Sequence, residues 1–191
     1  MLITSTGCRA AETRTVGTII SGGFVLTVAH GVAGQTSNQV ITAAGDSFQA
    51  TVVAIDTAQD IALLKLGPTP HAQRFVPVDF AEAKRGEQVF FVAFDDQQQV
   101  VRKAKIARRL KINTQDIYLR KKVSRPGLEV QLEVDVGNSG GPLINKSGQI
   151  VGIVWSTSRM VANRSWATRI EAVNQLISPE MADAKVVACT R

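Results

Sequence analysis

Short runs of Val, Ile, Phe and Thr, each soon cut off by Gly, Pro, Asn or Asp, recur along nearly the whole chain. They are Thr15–Ile20, Phe24–Val28, Gln39–Thr42, Ser47–Ile55, Ile61–Leu66, Gln88–Phe94, Val100–Leu110, Ile117–Val123, Leu128–Val134, Ile150–Trp155 and Ser165–Ile170. Closely spaced short strands of this kind predict an all-β sandwich or barrel. Helical periodicity is confined to one segment, Glu171–Ile177, which must stop before Ser178-Pro179 because a proline bars its predecessor from helical angles. The stretch GPTPHAQRFVPVDFAEAKRG, residues 67–86, holds three prolines and no clear strand. It reads as a join between two β halves, at residues 1–78 and 87–170, with a connector at 79–86 and a helix and tail at 171–191. No internal repeat marks a solenoid.

Composition narrows the class. At 191 residues, 45% hydrophobic and 20% charged, the chain is an ordinary globular one, and no apolar run is long enough for a spanning helix. The opening MLITSTGCRAAETR lacks the basic and apolar regions of a secretory leader. The net charge of +6 is uneven: Arg102 to Arg125 carries ten lysines and arginines against one acid, Asp116. This is either a solvated hairpin or a surface for an anionic partner, such as an acidic substrate or a membrane surface. Tyr118 is the only aromatic among those charges, so nucleic acid is not expected. Two cysteines, Cys8 and Cys189, stand near opposite ends in polar surroundings. They are two free thiols or a bridge tying the ends together, and a bridge implies an oxidising compartment.

Chemistry concentrates in three places. VDVGNSGGPLI, from Val134 to Ile144, sets Ser139 among Gly137, Gly140 and Gly141. A serine hydroxyl needs a base to take its proton and donors for the oxyanion that forms on attack. Glycines let a backbone turn sharply and let a substrate come close. FVLTVAHG is a β-run ending in His30, and histidine is the natural general base near neutral pH. Its rival, His71, lies in the proline-rich join and reads as a surface residue. DIALLKL puts Asp60 at the head of an apolar strand, where a half-buried acid can fix an imidazole tautomer. Asp56 reads as a turn residue.

TVAHG, DIALLKL and GNSGGPLI, in the order His30, Asp60, Ser139, together with GQIVGIVWS at 148–156, resemble the trypsin-like (chymotrypsin-fold) serine peptidases. The resemblance covers roughly residues 15–178. It is closest to HtrA-type proteases and to the actinobacterial periplasmic serine proteases. It implies two six-stranded antiparallel β-barrels with the active site between them, a short C-terminal helix, and no cofactor or metal. It further implies peptide hydrolysis through His30, Asp60 and Ser139, with an oxyanion hole at the amides of Gly137 and Ser139. Substrate would lie beside Trp155, Ser156 and Thr157, in a pocket walled by Glu133, Ser165 and Ala167. A buried Glu133 would favour Lys or Arg before the cut. The actinobacterial relatives join a cysteine before the first strand to one at the C-terminus, which implies a Cys8–Cys189 bridge and a periplasmic or secreted location.

Two departures stand out. Asn138 replaces the aspartate that digestive members use to pair with a freed N-terminus, so activation by cleavage is not expected. Trp155 stands where the family often has a small residue beside the acid. The alternative to a working enzyme is a latent or inactive binding module that needs a partner to order the oxyanion loop.

Overall fold

The computed structural model describes residues 1–68 and 76–177. His71 and Cys189 lie outside those residues, and with Cys189 so does the expected bridge to Cys8.

In the first half, β1 (Leu2–Gly7), β2 (Thr13–Val16), β3 (Thr18–Ile20), β4 (Phe24–Thr27), β5 (Gln35–Ile41), β6 (Ser47–Asp56) and β7 (Ile61–Leu66) form one sheet. Its order is β2-β1-β5-β6-β7-β4-β3, with every pair antiparallel. A short helix, α1 (Ala29–Val32), follows β4. Only Gly17 separates β2 from β3, so the chain passes from one outer strand of the sheet directly into the other. A side chain at Gly17 would meet Val25 and Ile3 within 2.7 Å, which is why the corner carries none. The expected count of six strands becomes seven because of β1. This strand comes from the opening segment, whose Leu2 and Ile3 are buried in the core.

The second half is a closed six-stranded barrel in the order β10-β13-β12-β11-β8-β9. Its strands are β8 (Gln88–Asp95), β9 (Gln98–Gln115), β10 (Lys122–Gln131), β11 (Pro142–Ile144), β12 (Ile150–Thr157) and β13 (Ser165–Arg169). Helix α2 (Ile170–Leu176) continues directly from β13, one residue earlier at each end than expected. Where three separate strands were expected between 100 and 134, two long ones form a single hairpin. The segment Ile117–Val123 is mostly its turn. Asp116 closes that turn by accepting a hydrogen bond from the Arg120 amide at 2.8 Å, and Leu119 takes a φ of +59°.

Among the described residues four apolar clusters hold the molecule together, the smallest of them joining Leu2 and Val16 of the first half to Phe94 of the second. One fills the barrel, around Phe91, Ile106, Leu128 and Leu143. A second fills the first sheet, around Ile3, Val25, Val40 and Leu64, and the tip residues Ile117 and Tyr118 of the β9–β10 hairpin pack against it. The third is shared: Leu26, Val28, Ile61 and Leu63 of the first half meet Ile150, Ile153, Ile170, Val173 and Leu176. The shared cluster fixes one half against the other along the line where the chemistry lies. Among the described residues no helix is long and apolar enough to cross a membrane.

Candidate active site

His30 is delivered by the end of β4. The buried run Val25–Val28 leads into α1, and Gly31 there packs so closely on Thr15 that a Cβ would lie 2.2 Å from its methyl carbon. The His30 ring is held by Asp60: Nδ1 lies 2.8 Å from Oδ2, and the His30 backbone amide donates to Oδ1 at 2.9 Å. A carboxylate at that distance selects the tautomer with the proton on Nδ1, which leaves Nε2 as a base. The His30 side chain is 36% exposed and that of Asp60 only 4%, so the acid lies behind the ring.

Asp60 sits in the turn between β6 and β7 with a φ of +58°, a conformation tolerated by Asp better than by most residues. Asp56 shapes the start of that turn, accepting hydrogen bonds from the amides of Ala58 and Gln59 at 2.9 Å each. The second half holds the turn from the other side. Arg125 Nε donates to the Ala58 carbonyl at 2.6 Å, Thr168 Oγ1 to that of Gln59 at 2.9 Å, and the Ile117 amide to that of Thr57 at 3.2 Å.

The loop before Ser139 is a turn from Asp135 to Asn138, closed by the Asn138 amide on the Asp135 carbonyl at 3.1 Å. Gly137 occupies its third position with a φ of +93°, as a type II turn requires. Asn138 is buried, and its Oδ1 accepts from the Phe94 amide at 2.7 Å. The Ser139 carbonyl accepts from the Val16 amide at 2.8 Å, and the Gly140 amide donates to Val154 at 2.7 Å. The amides of Gly137 and Ser139 have no acceptor among the described residues. They are the two available donors beside the hydroxyl.

His30, Gly137, Ser139, Trp155, Ser156 and Thr157 line one cleft of about 680 Å³. The Ser139 hydroxyl donates to the Trp155 carbonyl at 3.3 Å, long for a hydroxyl bond, so the rotor is weakly held. On one side Trp155–Thr157 pairs with β13; its other edge has no strand partner among the described residues.

Three expected pocket residues stay outside this cleft. Glu133 is exposed, and its carbonyl, not its carboxylate, is engaged, by Arg102 at 3.3 Å. It is therefore not a buried pocket floor. Ser165 and Ala167 are fully buried on β13, with Ser165 Oγ donating to the Leu132 carbonyl at 2.7 Å and 3.2 Å from Thr157 Oγ1. Val134 lines the cleft, and so do two acids, Glu12 and Asp135, the latter paired with Arg102.

The basic stretch is not a uniform patch. Arg108 pairs with Glu129, Arg109 with Glu82 and Glu171, and Arg102 with Asp135. Arg125, the last of the stretch, is buried at the site itself. Its Nη1 lies 3.6 Å from Asp60 Oδ2, its Nη2 donates to the Gln115 carbonyl at 2.9 Å, and its guanidinium stacks 4.7 Å from the Trp155 ring centre. Burial pulls this guanidinium below its ordinary range, and the carboxylates of Asp60, Asp56 and Asp116 oppose that pull. Sequence reasoning missed this role, because an arginine inside a basic run gives no local sign of burial. Trp155 was noticed as a departure, and the fold explains how it is aimed: β12 carries a bulge between Val154 and Ser156, which redirects the side chain between them. Arg9, from the loop after β1, also reaches the site and donates to the His30 carbonyl at 2.7 Å.

The sequence pattern described as trypsin-like peptidase domain matches residues 15–153. Serine protease Rv3671c of Mycobacterium tuberculosis is 35% identical over 147 residues, 74% of this chain and 36% of that protein. The mitochondrial serine protease HTRA2 of Bos taurus is 26% identical over 160 residues, 83% of this chain and 34% of that protein. The chain thus spans about a third of the length of these relatives. The crystal structure of the Rv3671c protease in its active form superposes with a TM-score of 0.87 at 28% identity, covering 100% of this chain and 85% of that one. The inactive form of the same protease gives 0.76 at 28% identity, covering 92% and 86%.

Proposed function

The chain belongs to the trypsin-like peptidase domain family, and we propose that it is a serine endopeptidase in which Ser139 attacks, His30 accepts the proton and Asp60 orients the imidazole. One observation carries the reading: a His30–Asp60 pair at 2.8 Å opens onto the same cleft as a serine flanked by two available amides. In the reaction, the Ser139 hydroxyl swings from the Trp155 carbonyl to His30 Nε2. Its oxygen then bonds to the scissile carbonyl carbon as the proton passes to the ring. The amides of Gly137 and Ser139 receive the oxyanion. His30 returns the proton to the leaving amine, and water cleaves the acyl-enzyme by the reverse sequence. Asp60 stays ionised and stabilises the imidazolium.

The substrate lies extended along the free edge of Trp155–Thr157, adding a strand by main-chain hydrogen bonds. With Glu133 outside and Asp135 neutralised by Arg102 at 2.6 Å, the pocket favours an uncharged side chain before the cut. Two observations support a free enzyme that is ready to act: the type II turn at Gly137, and the nearer likeness to the active than to the inactive form of the mycobacterial protease.

A fluorophosphonate probe and a peptide library test this. The expected result is labelling at Ser139 in the free protein, abolished by Ser139→Ala and by His30→Ala, with cleavage after uncharged residues. Labelling only with added peptide points to latency, and no labelling under any condition to a binding module.

A further inference from the structure

Among the described residues, Arg125 is the one cation that the second half buries against Asp60. It is 3% exposed, as Asp60 is 4%, with Nη1 to Oδ2 at 3.6 Å. A guanidinium is not taken out of water without compensation. Here the compensation comes from the Ala58 and Gln115 carbonyls, the Trp155 ring and the Asp60 carboxylate. Both Asp60 oxygens are already engaged with His30, so Arg125 approaches a carboxylate that is in use. Trp155 closes the arrangement, since its ring carries the guanidinium and its carbonyl receives the Ser139 hydroxyl.

We propose that Arg125 is a positioning residue that acts through Asp60. It is a fixed positive charge that holds the acid turned toward His30, with the Trp155 ring as the plate that sets the guanidinium in place. The proposal rests on the triad reading above. It gives Trp155 a purpose: an aromatic face, where a small residue would leave the guanidinium unsupported.

A charge in that place has a signed consequence. A positive neighbour opposes uptake of a further proton by the His30–Asp60 pair. Removing it makes the pair take its proton at higher pH, so the acidic limb of the activity profile moves up. The other charged groups around the pair and Arg125 are Asp56 on β6, Asp116 in the hairpin turn, and Arg9 at the His30 carbonyl. All three stay in place in the variants. Glu12, Arg14, Asp135 and Arg159 line the open cleft, where solvent screens them.

The test compares Arg125→Gln, which keeps planar donors without charge, with Arg125→Lys, which keeps charge without the planar fork. Two readouts are used: the pH profile of kcat and KM on a cleaved peptide, and the NMR titration of the His30 ring in the Ser139→Ala background. With only two histidines in the chain, the His30 signals are readily assigned. Arg125→Gln is expected to move the acidic limb and the NMR midpoint to higher pH by about one unit, and to lower kcat about tenfold with KM little changed. Arg125→Lys is expected to keep both midpoints within about 0.3 of a unit. A role confined to packing would leave the midpoints alone in both variants, and that result overturns the proposal. If Arg125→Gln does not fold, Arg125→Met, which removes the charge and keeps an apolar stem, takes its place: midpoints moved to higher pH support the fixed charge, and midpoints left where they were overturn it. The triad reading fails separately, through absent labelling of wild-type Ser139. The NMR titration reports on the Arg125 charge even then.

Discussion

A methyl group on Gly140 would lie 2.0 Å from the Val16 carbonyl oxygen and 2.6 Å from Thr27 Oγ1, and the residue's φ of +90° is one that an L side chain resists. Backbone cannot move aside as a flexible side chain can, so Gly140→Ala must push the Ser139 loop off β2. The expected cost is about 3 kcal/mol or more, from clash and left-handed strain together. Gly23 is the control: its φ is +74° but nothing lies within 4 Å of a Cβ, so Gly23→Ala costs about 1 kcal/mol from strain alone. Chemical denaturation gives both values, and fluorophosphonate labelling should fall only in Gly140→Ala. Equal costs for the two would show that the loop is not pinned on Val16. At this scale the candidate residues were legible where chemistry leaves a local signature, as in glycines around a serine or a β-run that ends in a histidine. Arg125 was not, because what buries it is the crossing of β10 behind the β6–β7 turn, which no neighbouring residue announces. Glu133 was legible in part: Leu132 and Val134, just past the end of β10, are buried, and the residue between them is exposed, an alternation of apolar and charged residues that the sequence carries.

The β9–β10 hairpin depends on its turn. The Arg120 amide donates to Asp116 Oδ1 at 2.8 Å, and this bond, with further help from the amides of Lys121 and Tyr118 and the Lys121 charge, holds the carboxyl below its ordinary 3.8. A carboxyl lowered in the folded state contributes stability that is complete above about pH 4 and is lost as pH falls through the lower folded value. Asp116→Asn is therefore expected to lower the melting temperature slightly at neutral pH. The gap to the wild type should close in strong acid, as thermal melts across pH 2–7 would record. A gap that persists in acid would assign the effect to the side-chain amide and not to the charge. The sequence marked most of the strands, since alternation and punctuation are local. It divided the segment 100–134 wrongly because Asp116–Lys121 looks, residue by residue, like the start of another strand. What makes it a turn is the bond closed at Asp116 and the docking of Ile117 and Tyr118 onto the first sheet. The opening strand was missed for a related reason: LITST has too little alternation to declare itself, and it becomes a strand by pairing with β2 and β5 on both sides.

Each half of the molecule holds the other's functional loop. The second half grips the turn that carries Asp60, through Arg125, Thr168 and Ile117. The first half grips the loop that carries Ser139, through the Val16 amide at 2.8 Å, and Arg14 crosses to the Asp96 carbonyl at 2.7 Å. Beneath both grips lies the shared apolar cluster, with Ile153 fully buried in it. A chain of 191 residues exceeds the size at which all-or-none unfolding is the ordinary expectation, and two halves with separate cores could melt separately. The reciprocal clasp argues against that, because losing either half strips the other of its covered face and of its loop anchors. Urea unfolding is therefore expected to give one transition, coincident by far-UV circular dichroism and by the fluorescence of Trp155 at the junction, read in a Trp166→Phe background. Ile153→Ala removes buried volume from the shared cluster and should shift both probes together, by about 2–5 kcal/mol. If the fluorescence change came first and left most of the β signal intact, the halves would be independent bodies, and the geometry of His30, Asp60 and Ser139 would depend on docking and not on folding.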